Sequence, residues 1–244
     1  SYTYEDLYKL SKKEESEAEF AFTLSEADYS EKRLPQVVSA EFRRVSAVNI
    51  RRNMAITAQA LTIARLLNKE EIVPIFLKGT AYLLDRLDHG TGSRRQVDID
   101  LVVKPEAIGP ACQAFFKAGY SFFSEKEGRL HQDLRLAHDE SRNHHHLPPL
   151  YKEDRLATVE IHYSHLPKIF EKMELTGQLI RSARLFSRQD IQFMTPSIEH
   201  QIIHIVLGNY LHDRYYHSCR PPIRPGLDFI EILEFSGKAP PAID

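Results

Sequence analysis

Residues 94–103 read Arg94-Arg95-Gln96-Val97-Asp98-Ile99-Asp100-Leu101-Val102-Val103, in which Val97–Val103 alternates before turning wholly apolar, as a central strand with one polar end does. Residues two apart on a strand share a face, so Asp98 and Asp100 project together, their Cα atoms roughly 6.5–7 Å apart. Paired carboxylates on an apolar strand repel each other and lose hydration, a cost that a cation offsets. Hard oxygen donors favour Mg²⁺. On this tripeptide alone, a solvated strand end serves equally well.

The sequence on either side supplies context. Upstream, Ile72-Val73-Pro74-Ile75-Phe76-Leu77 reads as a short buried strand, and Lys78-Gly79-Thr80 follows it at the start of a helical run, Ala81–Leu87. Glycine there permits close backbone approach, and the first N–H groups of a helix can hold a phosphate. Lys78 adds a charge and Thr80 a hydroxyl. The spacing of a P-loop is absent, which argues against a Walker-type ATPase. Downstream, Pro105–Ala118 reads as a helix closed by Gly119, and Tyr120–Phe123 begins a strand. Ala157–Tyr163 alternates again, with Thr158, Glu160 and His162 on one face. Glu160 is therefore the candidate third carboxylate. Three such groups can hold two Mg²⁺ ions, one on a triphosphate and one on an attacking oxygen.

Before this centre, apolar residues from Val37 to Leu67 recur at three- and four-residue steps, predicting one long helix or two joined ones with Arg43, Arg44, Arg51 and Arg52 at polar positions. Residues 1–34 read as loose or short helices. After it, residues beyond Pro196 are helical again, through Ile198–Leu207 and Leu227–Leu233. The expected fold class is α+β: a mixed sheet flanked by helices, divided into an N-terminal helical segment (1–70), a catalytic core (71–170) and a C-terminal helical segment (171–244).

Composition narrows the function. In 244 residues, 32 basic and 34 acidic side chains leave a net charge of −2, so no global positive field recruits a nucleic-acid backbone and DNA is not an expected partner. Cys112 and Cys219 form neither a disulfide framework nor a zinc knuckle. With no span of about 20 apolar residues and no signal-like N-terminus, a cytoplasmic protein without membrane contact is expected.

The order Leu77-Lys78-Gly79, then Arg94-x-x-x-Asp98-Ile99-Asp100-Leu101-Val102, then Val159-Glu160-Ile161-His162 resembles the polymerase-β-type nucleotidyltransferase superfamily and, within it, a bacterial family of uncharacterised nucleotidyltransferases. The likeness extends to His144-His145-His146-Leu147-Pro148, to Glu199–His204 and to Leu227–Leu233. Thr80 stands where the superfamily usually has serine or glycine, and Tyr163 where the family often has tryptophan. The resemblance implies transfer of a nucleoside monophosphate from an NTP to an acceptor, with pyrophosphate leaving. Asp98, Asp100 and Glu160 would bind metal, and Lys78, Gly79, Thr80 and Arg94 the phosphates. His146 and His162 would be polar neighbours of the carboxylates. The acceptor, whether small molecule, peptide, protein or RNA, is not named by any residue. Two alternatives stay open: a catalytically idle module of the same fold that binds a nucleotide or a protein, and an RNA-modifying toxin–antitoxin component using the arginines at 43–52. The i, i+4 pair His200 and His204 lacks the glutamate of a zincin and reads as helix packing; Asp228 on the last helix reads as a cap or as the partner of a basic residue, with no catalytic role.

Overall fold

The apolar periodicity after Pro35 forms one helix, α1 (Gln36–Asn68), whose Ile56, Ala60, Ile63, Ala64 and Leu67 make a continuous buried stripe. The computed structural model describes Lys9 and residues 36–85, 94–212 and 223–236. The helices expected within residues 1–34 lie outside these apart from Lys9, as do the His89–Ser93 loop, His217, Cys219 and the Pro221-Pro222 turn. After α1 come β1 (Ile75–Phe76), α2 (Lys78–Asp85), β2 (Ile99–Val102), α3 (Ile108–Lys117), β3 (Ser121–Ser124), β4 (Arg129–His131) and α4 (Leu134–Glu140). Then follow β5 (Leu150–Tyr151), β6 (Val159–His162), α5 (Leu175–Ser182), β7 (Arg184–Arg188), β8 (Ile191–Thr195), α6 (Ile198–Ile203) and α7 (Ile223–Ser236). Local chemistry sets several ends. Gly119, at φ 87°, closes α3, while Asp133 and Ser197 side chains cap α4 and α6 by accepting free helix N–H groups.

The strands form one mixed sheet in the order β4-β3-β5-β6-β2-β1-β8-β7. At its centre β2 runs parallel to β6 and antiparallel to β1, and β1 runs parallel to β8. One face carries the main core: Phe76, Ile99, Leu101, Val159, Ile161 and Phe193 pack with the α1 stripe and with Ala111, Cys112 and Phe115 of α3. Burial pushes the Cys112 thiol up to about 12, so it acts as a packing residue. The opposite face holds a smaller cluster, Ile75, Leu77, Val102 and Leu179. The polar residues of the central strands emerge on this side.

The structure shifts several expected elements. The run 72–77 is a regular strand only at Ile75 and Phe76; Pro74 has no N–H to give the ladder, though its carbonyl accepts from the Met194 N–H and the Leu77 N–H donates to the Asp100 carbonyl. Strand β2 begins after Asp98 rather than at Val97. The polar stretch 125–143 contains β4 and α4. Within residues 171–244, read as helical, β7 and β8 form a hairpin turning at Gln189, φ 55°, and it extends the same sheet. Asp85 of α2 anchors it, accepting from Thr195 Oγ1 at 2.6 Å, from Gln201 at 3.0 Å and from Arg184.

Candidate active site

Parallel pairing of β2 with β6 places Asp100 beside Glu160 and Val102 beside His162, so the three polar side chains of these strands share the face opposite the main core. Asp100 is 1% exposed and His162 is fully buried. Asp100 Oδ1 accepts from His162 Nε2 at 2.8 Å and from Lys78 Nζ at 2.6 Å. Glu160 Oε2 lies 3.6 Å from His162 Nε2 and 3.8 Å from His146 Nδ1. His146 itself donates Nδ1–H to the Leu147 carbonyl at 2.8 Å, which leaves its Nε2 as an acceptor. One ligand atom each from Asp100, Glu160 and His162 falls within 4.8 Å of the others. Lys78 reaches Asp100 from the β1–α2 junction, where its backbone adopts a left-handed φ of 50°. A lysine holds that conformation at a cost of about 1 kcal/mol or more, a strain typical of site residues.

Helix α1 positions both strand starts through amides that sequence reading passed over. Asn49 Nδ2 donates to the Arg94 carbonyl at 3.1 Å, and Asn53 donates to the same oxygen while accepting from the Gln96 N–H. Arg52 Nε donates to the Gln96 carbonyl at 2.7 Å. Gln59 bonds both ways with the backbone of Ala157, just ahead of β6. Of the expected arginine stripe, Arg52 is thus a structural tie, Arg44 pairs with Glu41 and Arg43 donates to Ser39. These amides were legible only as a spacing of buried polar positions, Asn49, Asn53 and Gln59, along one side of a long helix.

The remaining expected residues gather around the start of α2. A Cβ on Gly79 would collide with the side chains of Gln96 and Arg94, so glycine is required for those groups to lie across the turn. Arg94 Nε meets Asp228 Oδ1 of α7 at 3.0 Å, a partner for which no catalytic role was read. Thr80 is fully buried, its Oγ1 3.4 Å from the Asp98 carbonyl and within reach of Gln96 Nε2 at the same distance. Its hydroxyl therefore ties α2 to the β2 approach. Asp98 is half-buried just before β2, its carboxylate 3.3 Å from Gln96 Nε2, and it stands outside the three-residue ligand cluster.

The electrostatics record like-charge crowding. Burial, then the neighbouring Asp100 carboxylate, raises the Asp98 carboxyl to about 6. Burial would raise Asp100 too, but Lys78 and His162 outweigh it and hold Asp100 well below the carboxylate range. Burial works against the Lys78 ammonium, but Asp100, with Glu160 and Asp98, holds its pKa above the ordinary value. His146 is depressed chiefly by burial, and His145 is taken to about 2 by burial and the rings around it. Neutral imidazoles thus surround a negatively charged centre.

A family model described as uncharacterised nucleotidyltransferase matches residues 4–239. The chain belongs to this family. Membership agrees with the α+β architecture, in which the parallel β2–β6 pair sets Asp100 and Glu160 side by side on one sheet face. No curated protein matches the chain, and no described helix is long and apolar enough to cross a membrane.

The donor set suits a divalent cation. Two carboxylates and one imidazole converge, burial and then the Asp100 charge disfavour the ionised form of Asp98, and a dication relieves that cost.

Proposed function

We propose that this family member is a Mg²⁺-dependent nucleotidyltransferase that moves a nucleoside monophosphate from an NTP to an acceptor, releasing pyrophosphate. The observation that carries the reading is the convergence of Asp100, Glu160 and His162 beside the glycine turn that opens α2. Asp98, Asp100 and Glu160 would hold the metal, with His162 beside them as a hydrogen-bond donor to Asp100. The metal, when bound, neutralises phosphate charge and lowers the pKa of the attacking hydroxyl. The chain's own residues do the positioning. Gly79 and the first N–H groups of α2 face the phosphates, and the Arg94 guanidinium, held by Asp228, forks onto their oxygens. Lys78 keeps Asp100 ionised, and His162 Nε2–H fixes that carboxylate's orientation. Glu160 also borders a groove of about 780 Å³ lined by His146, Phe123, Glu140 and Pro148, where the acceptor binds and where Glu160 can take its proton.

The test is label transfer. Incubated with Mg²⁺, acceptor-containing extract and each NTP in turn, the protein should pass the α-phosphate label of one NTP into product while the γ label leaves as pyrophosphate. Asp100→Asn should abolish this with the fold intact. Full transfer by Asp100→Asn overturns the assignment.

A further inference from the structure

On the side of the C-terminal helices, a cavity of about 60 Å³ is bounded by Lys78, Arg94, His165, His200, Gln201 and Asp228. At roughly 10–15 Å³ per water, it has room for about four to six waters, enough for one phosphoryl group. His165 is 0% and His200 6% exposed, with ring centroids 5.5 Å apart. His165 Nε2 and His200 Nδ1 have no hydrogen-bond partner among the described residues. Buried polar atoms of this kind are costly unless something completes them.

The surrounding bonds bear on what that something is. The Leu166 N–H donates to Ser164 Oγ at 3.3 Å, Ser164 and Thr176 hydroxyls meet at 2.9 Å, and Thr176 Oγ1 lies 3.3 Å from His165 Nδ1. The arrangement that uses each hydroxyl proton once has Ser164 donating to Thr176 and Thr176 donating to His165 Nδ1. The neutral ring then carries its proton on Nε2. A protonated nitrogen cannot bind a metal; it requires an acceptor. Lys78 and Arg94 stand on the cavity wall, paired with Asp100 and with Asp228 of the same wall, and the N–H donors those pairs leave over favour an anionic acceptor.

We propose that this cavity receives the terminal phosphoryl group of the nucleotide donor, with His165 Nε2–H and His200 Nδ1–H donating to its oxygens while Lys78 and Arg94 supply positive charge. The assignment rests on the nucleotide reading above and adds the residues that distinguish a triphosphate from a monophosphate. It also gives the Leu227–Leu233 segment a purpose, since Asp228 holds Arg94 at the cavity wall.

The experiment titrates the intact protein with inorganic pyrophosphate, orthophosphate, each NTP and the matching NMP, following calorimetry and the ring-nitrogen NMR signals of His165 and His200. The expected result is tight pyrophosphate and NTP binding that moves both sets of signals, with weak NMP binding. His165→Phe and His200→Phe should each weaken pyrophosphate and NTP about tenfold and leave NMP unchanged. NTP binding that leaves both histidine signals still, or that survives both variants, overturns the cavity assignment while the nucleotide reading stands. Orthophosphate binding as tightly as pyrophosphate, with NTP no better than NMP, makes this a free-phosphate site and likewise overturns it. Failure of the nucleotide reading looks different: no NTP binds, yet pyrophosphate still moves the histidine signals. The wild-type NMR titration decides the matter even if a variant fails to fold.

Discussion

Replacing Asp98 by asparagine should stabilise the metal-free protein near neutral pH. The Asp98 carboxyl is raised from its ordinary 3.8 to about 6 by burial and by the Asp100 carboxylate. At about 1.4 kcal/mol per tenfold change in ionisation, the full rise corresponds to about 3 kcal/mol against the ionised folded state. Solvent reaching this half-buried group reduces it to about 1–2 kcal/mol. Because the folded-state pKa is the higher one, the unfolded chain ionises first as pH rises. The wild type therefore loses stability between about pH 4 and pH 6, and the loss stays constant above that window. Asparagine keeps an oxygen that can accept from Gln96 and carries no charge. Urea unfolding in a chelator should show Asp98→Asn more stable by about 1–2 kcal/mol near pH 7.5 and equal to wild type below about pH 4. Added Mg²⁺ should narrow or reverse the gap by stabilising the wild type preferentially. An Asp98→Asn protein that is less stable than wild type in chelator near pH 7.5 would refute the picture of crowded carboxylates awaiting a cation.

Two further substitutions probe the same centre. Lys78→Met should cost about 2–3 kcal/mol in chelator, since it strips a cation from the buried Asp100 but leaves the His162 hydrogen bond; adding Asp100→Asn should recover more than about 1 kcal/mol of that, and strict additivity in the double-mutant cycle would count against the coupling. Gly79→Ala should change the melting temperature little, because the groups in its way are the ends of two flexible side chains, yet displacing Arg94 should weaken NTP binding at least about tenfold by calorimetry.

Much of this site was legible because strand periodicity is strict. The spacing of Asp98, Asp100, Glu160 and His162 put them on strand faces, and the parallel β2–β6 register then brings Asp100, Glu160 and His162 together. What escaped reading is non-local. His162 lies inside the converging group and Asp98 just ahead of the strand, since β2 begins one residue after Asp98, and boundaries are the weakest part of any periodicity argument. The buried amides Asn49, Asn53 and Gln59 look like ordinary polar positions until the segments they hold, 94–96 and Ala157, are seen folded against α1. The β7–β8 hairpin did carry an alternating signal in Ile191-Gln192-Phe193-Met194-Thr195, but it lies between helices and turns through a non-glycine residue at positive φ, Gln189. Arg94 and Asp228, 134 positions apart, pair only once the last helix docks.

The most direct test of nucleotide transfer chemistry at this face is thermal unfolding with each of the four NTPs, with and without Mg²⁺, on the wild type and on Asp98→Asn/Asp100→Asn. Binding at a hundredfold excess over Kd adds about 2.7 kcal/mol to the folded state. A Mg²⁺-dependent rise in Tm with at least one NTP, lost in the double variant, is the predicted result. No rise with any NTP at millimolar concentration, or an equal rise in the double variant, would contradict the account.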